Sequence, residues 1–350
     1  MARHRNGQVR VGRGMADDRS EENSEQLTGK MLASWRTWLL GILLVAGVIF
    51  AAFHWGDVKQ FAKLVVNAEP LWLLAALGAQ VFTYVTQAFE WLLVLRVCEC
   101  EASLAKLLPL TVTKHFADQL VPTAGMSGNV VVVDRLRSLG TSRKVAVAAV
   151  ILTIISYYAS YAVSASGALV LLLLTGRQTW LMVGLIAVFL VVAAGIPSLA
   201  LWLQKKGRRA IPGWLRKIGP VRELFDMIGE APAMLVRSKT LATELSLLNG
   251  VAFVLDGLTM QFCLFALGVD APFATAFVAF IMASIVVTLA PIPMGLGSFE
   301  AVSIGTLRLG GVPFEAALSA TLLFRGFTLW LPLLPGMVAA RRDLKHRSKG

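Results

Sequence analysis

Apolar runs separated by short charged segments set the rhythm of this chain. The runs are Trp38–Phe53, Leu71–Leu95, Val145–Leu174, Trp180–Leu203, Leu241–Leu267 and Pro313–Ala340. A stretch of about 18 apolar residues or more predicts a helix that crosses the roughly 30 Å hydrocarbon layer of a bilayer. Trp38–Phe53 is shorter. It follows a long polar stretch and lacks a clear small-x-small cleavage site, so it reads as a retained span rather than a signal-peptide core. The pattern predicts an all-α polytopic membrane protein with about six spanning helices.

Two further apolar regions are interrupted. Leu104–Arg137 carries Lys114, His115 and Asp118, then breaks at Leu120-Val-Pro-Thr-Ala-Gly-Met-Ser-Gly128. Pro272–Leu309 breaks at Leu289-Ala-Pro-Ile-Pro-Met-Gly-Leu-Gly297. Each reads as two half-length helices around a turn, with Pro122, Gly125 and Gly128 in the first turn and Pro291, Gly295 and Gly297 in the second. Unpaired backbone groups in hydrocarbon cost several kcal/mol each, so such turns lie within protein or beside a wet cavity. They also present helix N-termini, whose free N–H groups and dipole favour anions. The two turns are thus candidate walls of a polar cavity near mid-membrane. The plainer alternative is that their glycines only let helices approach closely.

Charge orients the pattern. The formal net charge is +12, but it is gathered between apolar runs rather than along one amphipathic face, which argues against nucleic-acid binding. With the N terminus in the cytoplasm, the inside segments collect Arg135, Arg137, Arg143, Lys144, the run from Lys205 to Arg222 and the tail from Arg341 to Lys349. The outside keeps little beyond Lys59, Lys63, Arg177 and Arg308. This satisfies the positive-inside rule only if both interrupted regions return to the side they entered from. Re-entrant hairpins are therefore expected at 104–137 and 272–309.

Leu120-x-Pro122 with Gly125 and Gly128 parallels Leu289-x-Pro291 with Gly295 and Gly297, and Leu136-Arg-Ser-Leu-Gly140 parallels Leu307-Arg-Leu-Gly310. Such units of opposite orientation form the inverted repeat of many transporters. The expected plan is a disordered cytoplasmic tail 1–36, a transmembrane half 37–203, an amphipathic cytoplasmic linker 204–240, a second half 241–342 and a basic tail 343–350.

Ionisable residues at bilayer depth are costly and usually functional. Glu90, Lys114, His115, Asp118, Asp256, Glu300 and Arg325 qualify. Arg325 needs a partner, and Glu300, just past the second turn, is the natural one. The pair either fixes helix packing or presents a guanidinium to a lipid phosphate. Asp256 and Glu90 read as counter-charges or proton sites, and Glu90 equally as a group snorkelling to the interface. Lys114 and His115 bind a head group at the cytoplasmic mouth or are simply wetted there. Cys98, Cys100 and Cys263 form no disulfide or zinc framework. No catalytic order of residues, metal motif or nucleotide loop stands out, so no catalytic residue, metal or cofactor is expected.

The stretch Ala290-Pro-Ile-Pro-Met-Gly-Leu-Gly-Ser-Phe-Glu300, then Gly310-Gly-Val-Pro313, then Phe324-Arg-Gly-Phe-Thr-Leu-Trp-Leu-Pro332 with Gly336, resembles the C-terminal signature of the flippase-like transmembrane domain of lysylphosphatidylglycerol synthases. Pro122, Gly128, Arg135 and Gly140 are similar to that family's N-terminal signature and add Arg135 to the candidate site. The resemblance covers about residues 37–342 and implies translocation of a lipid across the cytoplasmic membrane. In the synthases the lipid is an aminoacylated phosphatidylglycerol. Stand-alone members occur beside glycolipid, hopanoid and polyprenyl pathways, which leaves the lipid open. Two departures matter. Only a short basic tail follows Ala340 where the synthases carry a soluble transferase domain, so a stand-alone member without synthase activity is expected. The first-repeat position matching Arg325 falls near Ile154 and Ile155, which speaks against a symmetric site with two arginines.

The function expected is a lipid flippase rather than an enzyme, in a bacterial inner membrane with both termini cytoplasmic. Membrane lipids, anionic or phosphate-bearing ones above all, are the expected substrate, with no nucleic acid as partner. A second copy or a lipid-biosynthesis enzyme is the expected protein partner. A proton-coupled small-solute transporter, an accessory subunit of a lipid-modifying glycosyltransferase and an intramembrane lipid enzyme remain alternatives.

Overall fold

The structure, a computed structural model, describes residues 66–97, 100, 102–120, 126–206, 238–290, 292 and 295–330. The first expected span, the tail 1–36, most of the linker 204–240, the segment after Trp330 and the turn residues Pro122, Gly125 and Pro291 lie outside the described residues.

Among the described residues every regular element is helical. In chain order these are α1 (Pro70–Val97), α2 (Leu104–Leu120), α3 (Met126–Ser138), α4 (Arg143–Thr175), α5 (Trp180–Lys206), α6 (Lys239–Ala266), α7 (Phe273–Leu289), α8 (Ser298–Leu309) and α9 (Phe314–Arg325). A π-helical turn, Gly326–Trp330, continues α9. Four helices among the described residues are long and apolar enough to cross a membrane: α1, α4, the Trp180–Ser198 part of α5, and α6. Leu71, Leu74, Val163, Leu174, Trp180 and Val191 remain exposed on them, as side chains facing hydrocarbon would.

Local chemistry sets the ends. The Ser142 side chain accepts from the Val145 N–H at the start of α4, and Gly176 closes that helix at φ 64, its N–H reaching the carbonyls of Leu172 and Leu173. Only a residue without Cβ takes that left-handed cap easily. Ser238 caps α6 as Ser142 caps α4.

Contacts fix the relative directions of the helices. Thr83 meets Asp256, while Glu90, seven residues further along α1, lies against Asn249, seven residues back along α6. The Glu69 N–H donates to the Ala266 carbonyl at 2.8 Å. Helices α1 and α6 are therefore antiparallel. The Ser156 hydroxyl donates to the Ala242 carbonyl at 3.2 Å, and Tyr161 packs on Phe253 with ring centroids 4.8 Å apart, so α4 runs parallel to α6. Tyr161 also packs on Phe189 of α5, and the short 176–179 turn makes α5 antiparallel to α4.

These directions gather Arg96, Arg143, Lys144 and Lys239 at one end of the bundle. Arg135 and Arg137, in the last turn of α3 just before α4, sit there too. The opposite end carries Glu69, Arg177 and the 267–272 loop with Asp270. Gly310 joins that end, because the Arg177 guanidinium donates to its carbonyl.

Both interrupted regions fold back on themselves. Helix α7 starts beside the end of α8, where Gly310 lies against Thr275, and ends where Gly295 lies against Val287. The α7–α8 pair thus leaves the Arg177 end and returns to it. Helices α2 and α3 pack on each other and join α1 to α4 at the basic end. With 17 residues each in α2 and α7, neither arm exceeds about 26 Å.

Among the described residues the buried apolar side chains form two clusters. One joins α7, α8 and α9 to α5 and to the Arg177-end halves of α4 and α6. The other joins α2 and α3 to the basic-end halves of α1 and α4. Between them, at mid-depth, lie the polar residues Gln80, Thr83, Tyr84, Gln87, Ser156, Ser160 and Asn249.

Candidate functional site

Arg325 lies about 16 Å into α9 and is 8% exposed. An arginine at that depth is stable only with a partner. Its Nε donates to Glu300 Oε1 at 2.8 Å, and its guanidinium lies over the Phe299 ring, 5.0 Å from the centroid. Phe299 in turn stacks on Phe324 at an interplanar angle of 2°. The second carboxylate oxygen of Glu300 accepts the Gly297 N–H at 2.7 Å. Glu300 therefore closes the N-terminus of α8, where a negative charge meets the helix dipole, and holds Arg325 with its other oxygen. One turn nearer the Arg177 end, Ser303 and Thr321 join α8 to α9 by a buried hydroxyl pair at 2.9 Å.

The second turn is shaped by its glycines. Gly297 has φ 81, which turns its N–H onto Glu300. Gly295 has φ 62, and a Cβ there would stand 2.7 Å from Val287 Cγ2. Close packing and left-handed backbone thus coincide at this position. Among the first-turn residues, Gly128 is buried in α3.

A second group of polar side chains faces the seam of α1, α2 and α6. The Thr83 hydroxyl lies 3.4 Å from Asp256 Oδ1, and Tyr84 lies beside Asp256. His115 hydrogen-bonds Gln87 and meets the Tyr84 ring edge-on at 5.4 Å. Glu90 is 2% exposed, with the Asn249 side chain and the charge of Lys114 next to it. Snorkelling, one of the two readings of Glu90, is therefore corrected: the residue points into the bundle.

Seven of the residues singled out from the sequence as a candidate site fall into these two groups. Arg325, Glu300, Gly295 and Gly297 come together at the second turn, while Lys114, His115 and Asp256 come together at the α1–α2–α6 seam. Asp118 lies on α2 and Arg135 is exposed on α3. The two hairpins have different neighbours, since α2 and α3 pack on α1 and α4 whereas α7 and α8 pack on α4, α5, α6 and α9. A cavity of about 30 Å³ between Leu172, Arg177, Met182, Thr275 and Gly310 has room for about one or two waters, and neither Arg325 nor Glu300 borders it.

Sequence reasoning passed over Gln80, Thr83, Tyr84, Gln87 and Asn249. The spacing of the first four, i, i+3, i+4 and i+7, is one helical face, and that signal was available.

Long apolar spans, short helices paired into hairpins and a guanidinium held at mid-depth define a multi-pass membrane protein of the broken-helix type. The model of the lysylphosphatidylglycerol synthase transmembrane region matches residues 38–336, and the chain belongs to that family. None of the curated proteins compared with the chain matches it.

Proposed function

We propose that this protein is a lipid transporter that carries a phosphate-bearing head group across the bacterial cytoplasmic membrane, with no chemistry performed on the lipid. The observation that carries this reading is the Arg325–Glu300 pair. A carboxylate already occupies the place where two anion-binding features converge, a guanidinium and a helix N-terminus. A lipid phosphate offers the same charge and acceptor geometry. In the transport step it takes the place of Glu300 on Arg325 while the acyl chains stay in the bilayer.

The gathering of Arg96, Arg135, Arg137, Arg143, Lys144 and Lys239 at one end supports an orientation with that end, and both termini, in the cytoplasm. On that orientation α2–α3 is a re-entrant hairpin opening inward and α7–α8 one opening outward. The two then act as halves of an inverted repeat. Lipids are the substrate, and a second copy or a lipid-biosynthesis enzyme is the natural partner.

The test uses three proteins: wild type, Arg325→Ala, and Arg325→Met with Glu300→Gln. Each is reconstituted and assayed for movement of a fluorescent phosphatidylglycerol between leaflets, with thermal melting as the control for folding. A head-group role expects the double variant to fold and yet fail to move lipid. Lipid movement at the wild-type rate by the folded double variant would falsify phosphate binding by Arg325.

A further inference from the structure

The seam between α1, α2 and α6 holds more ionisable and hydrogen-bonding groups than packing explains. Glu90 and Asp256 are two carboxyls on facing helices. They stand two helical turns apart along the seam, about 10 Å by the helical rise. Between them lie Gln87, His115 and Tyr84, with His115 bonded to Gln87 and in ring contact with Tyr84.

Two oxygens on this face, Glu90 Oε1 and Gln80 Oε1, are buried and make no hydrogen bond within 3.5 Å among the described residues, with the Asn249 side chain beside Glu90 and Tyr84 beside Gln80. Their residues are 2% and 3% exposed. A buried acceptor without a donor is unfavourable, and for a carboxyl oxygen a proton supplies what is missing. Chains of carboxyl and imidazole groups inside transmembrane helices are the usual carriers of protons. A sodium site would instead close several oxygens round one point, whereas here the acceptors are strung along the seam.

We infer that Glu90 and Asp256, linked through His115 and its neighbours, form a proton-carrying track that couples lipid movement to a proton gradient. The inference rests on the transport reading above for its use, though not for its chemistry.

The groups facing the track come from every neighbouring helix. Tyr84 belongs to α1, and Lys114 and His115 to α2. Helix α4 turns Ser156, Ser160 and Tyr161 toward α6. Helix α9 also packs on α6, but its Arg325 is held by Glu300 at the second turn. In one transfer a carboxyl O–H bond breaks as the next acceptor gains the proton, so charge moves along the seam and no oxidant or reductant is needed.

Two measurements test the inference. In the first, vesicles of phosphatidylethanolamine and phosphatidylglycerol containing the protein receive a fluorescent phosphatidylglycerol and a pH gradient of about one unit. One proton per lipid shifts the leaflet ratio by up to about tenfold. Glu90→Gln and Asp256→Asn are expected to leave the ratio near even while still exchanging lipid. A wild-type ratio that ignores the pH gradient, or one that follows a sodium gradient instead, overturns the inference and leaves the transport reading standing.

In the second, infrared difference spectra of the purified protein follow the protonated-carboxyl C=O band across pH. The band is expected in wild type and weakened in each variant. If wild type moves no lipid, the transport reading falls and this titration alone decides. A band unchanged by Glu90→Gln and by Asp256→Asn overturns the track. Should one variant fail to fold, the other carries the comparison.

Discussion

The two helical hairpins are alike in outline and opposite in chemistry. Helix α7 has no ionisable residue, and its stretch Ala276–Ala283 is buried throughout. A helix apolar on every side is enclosed by protein or faces lipid, and the burial of this stretch makes it the first. Its partner α8 adds a single intramembrane charge, Glu300, bound at both oxygens. Helix α2 instead carries Lys114, His115 and Asp118 and turns His115 onto Gln87 of α1. The second hairpin thus gathers its intramembrane charge into one ion pair, and the first spreads ionisable groups along its contact with α1. The same break in an apolar run serves two ends, and the side chains beside the turn decide which.

The largest expected effect tests the ion pair. Arg325→Ala leaves Glu300 with the Gly297 N–H and no counter-charge, and removing one partner of a buried pair costs about 3–5 kcal/mol. Arg325→Met with Glu300→Gln is expected to recover most of that loss. Thermal melting in detergent reads both variants. A loss below about 1 kcal/mol for Arg325→Ala would make the pair a solvent-screened one and erase the contrast between the hairpins.

Next in size comes the second turn. Gly295→Ala places a Cβ in left-handed backbone, which costs roughly 1–2 kcal/mol, and drives it against Val287. Gly140, at the end of α3, has φ 94 and nothing within 4 Å of a built Cβ, so Gly140→Ala bears the backbone cost alone. Gly295→Ala is therefore expected to lower the melting temperature more than Gly140→Ala. Adding Val287→Ala to Gly295→Ala is expected to return the difference. Equal losses at the two glycines would show that packing at the second turn is looser than its contacts imply.

These effects follow from features that were unequally legible. Apolar run length located the spans well: Leu71–Leu95 became Pro70–Val97, and Val145–Leu174 became Arg143–Thr175. The Arg325–Glu300 pairing could be read because an unpaired guanidinium in hydrocarbon is so unfavourable that few partners qualify. The seam was not read, for two physical reasons. Gln80, Thr83 and Gln87 bear no charge, so a search for charges inside apolar runs passes over them despite their helical spacing. Thr83 and Asp256 stand 173 residues apart, and their meeting depends on the antiparallel packing of α1 on α6, which no local pattern encodes. The π-helical turn after Arg325 had no signal beyond Gly326 itself.

Beside the ion pair, the hydroxyl pair of Ser303 and Thr321 gives a finer test. Ser303→Ala strands the Thr321 hydroxyl at a buried site and is expected to cost about 1–2 kcal/mol, while Ser303→Ala with Thr321→Val removes both polar groups and is expected to be nearly neutral. A double variant as unstable as the single one would mean that shape rather than hydrogen bonding holds α8 on α9.

The smallest expected stability effect belongs to the first hairpin, where it discriminates most. His115→Phe with Gln87→Leu replaces a hydrogen-bonded pair by apolar groups of similar size, and the phenyl ring keeps an edge toward Tyr84. Replacing both partners of a hydrogen bond in this way shifts stability by no more than about 1 kcal/mol. If α2 were held to α1 as α8 is to α9, losing its bond to α1 would instead melt the protein as early as Arg325→Ala does. If α2 is the face along which protons pass, the double variant melts with wild type and still exchanges lipid between leaflets. It then loses the response to a pH gradient, because neither phenylalanine nor leucine can pass a proton between Glu90 and Asp256. Normal melting together with an intact gradient response would leave the imidazole without a role in the seam, and the contrast between the hairpins would rest on Lys114 and Asp118 alone.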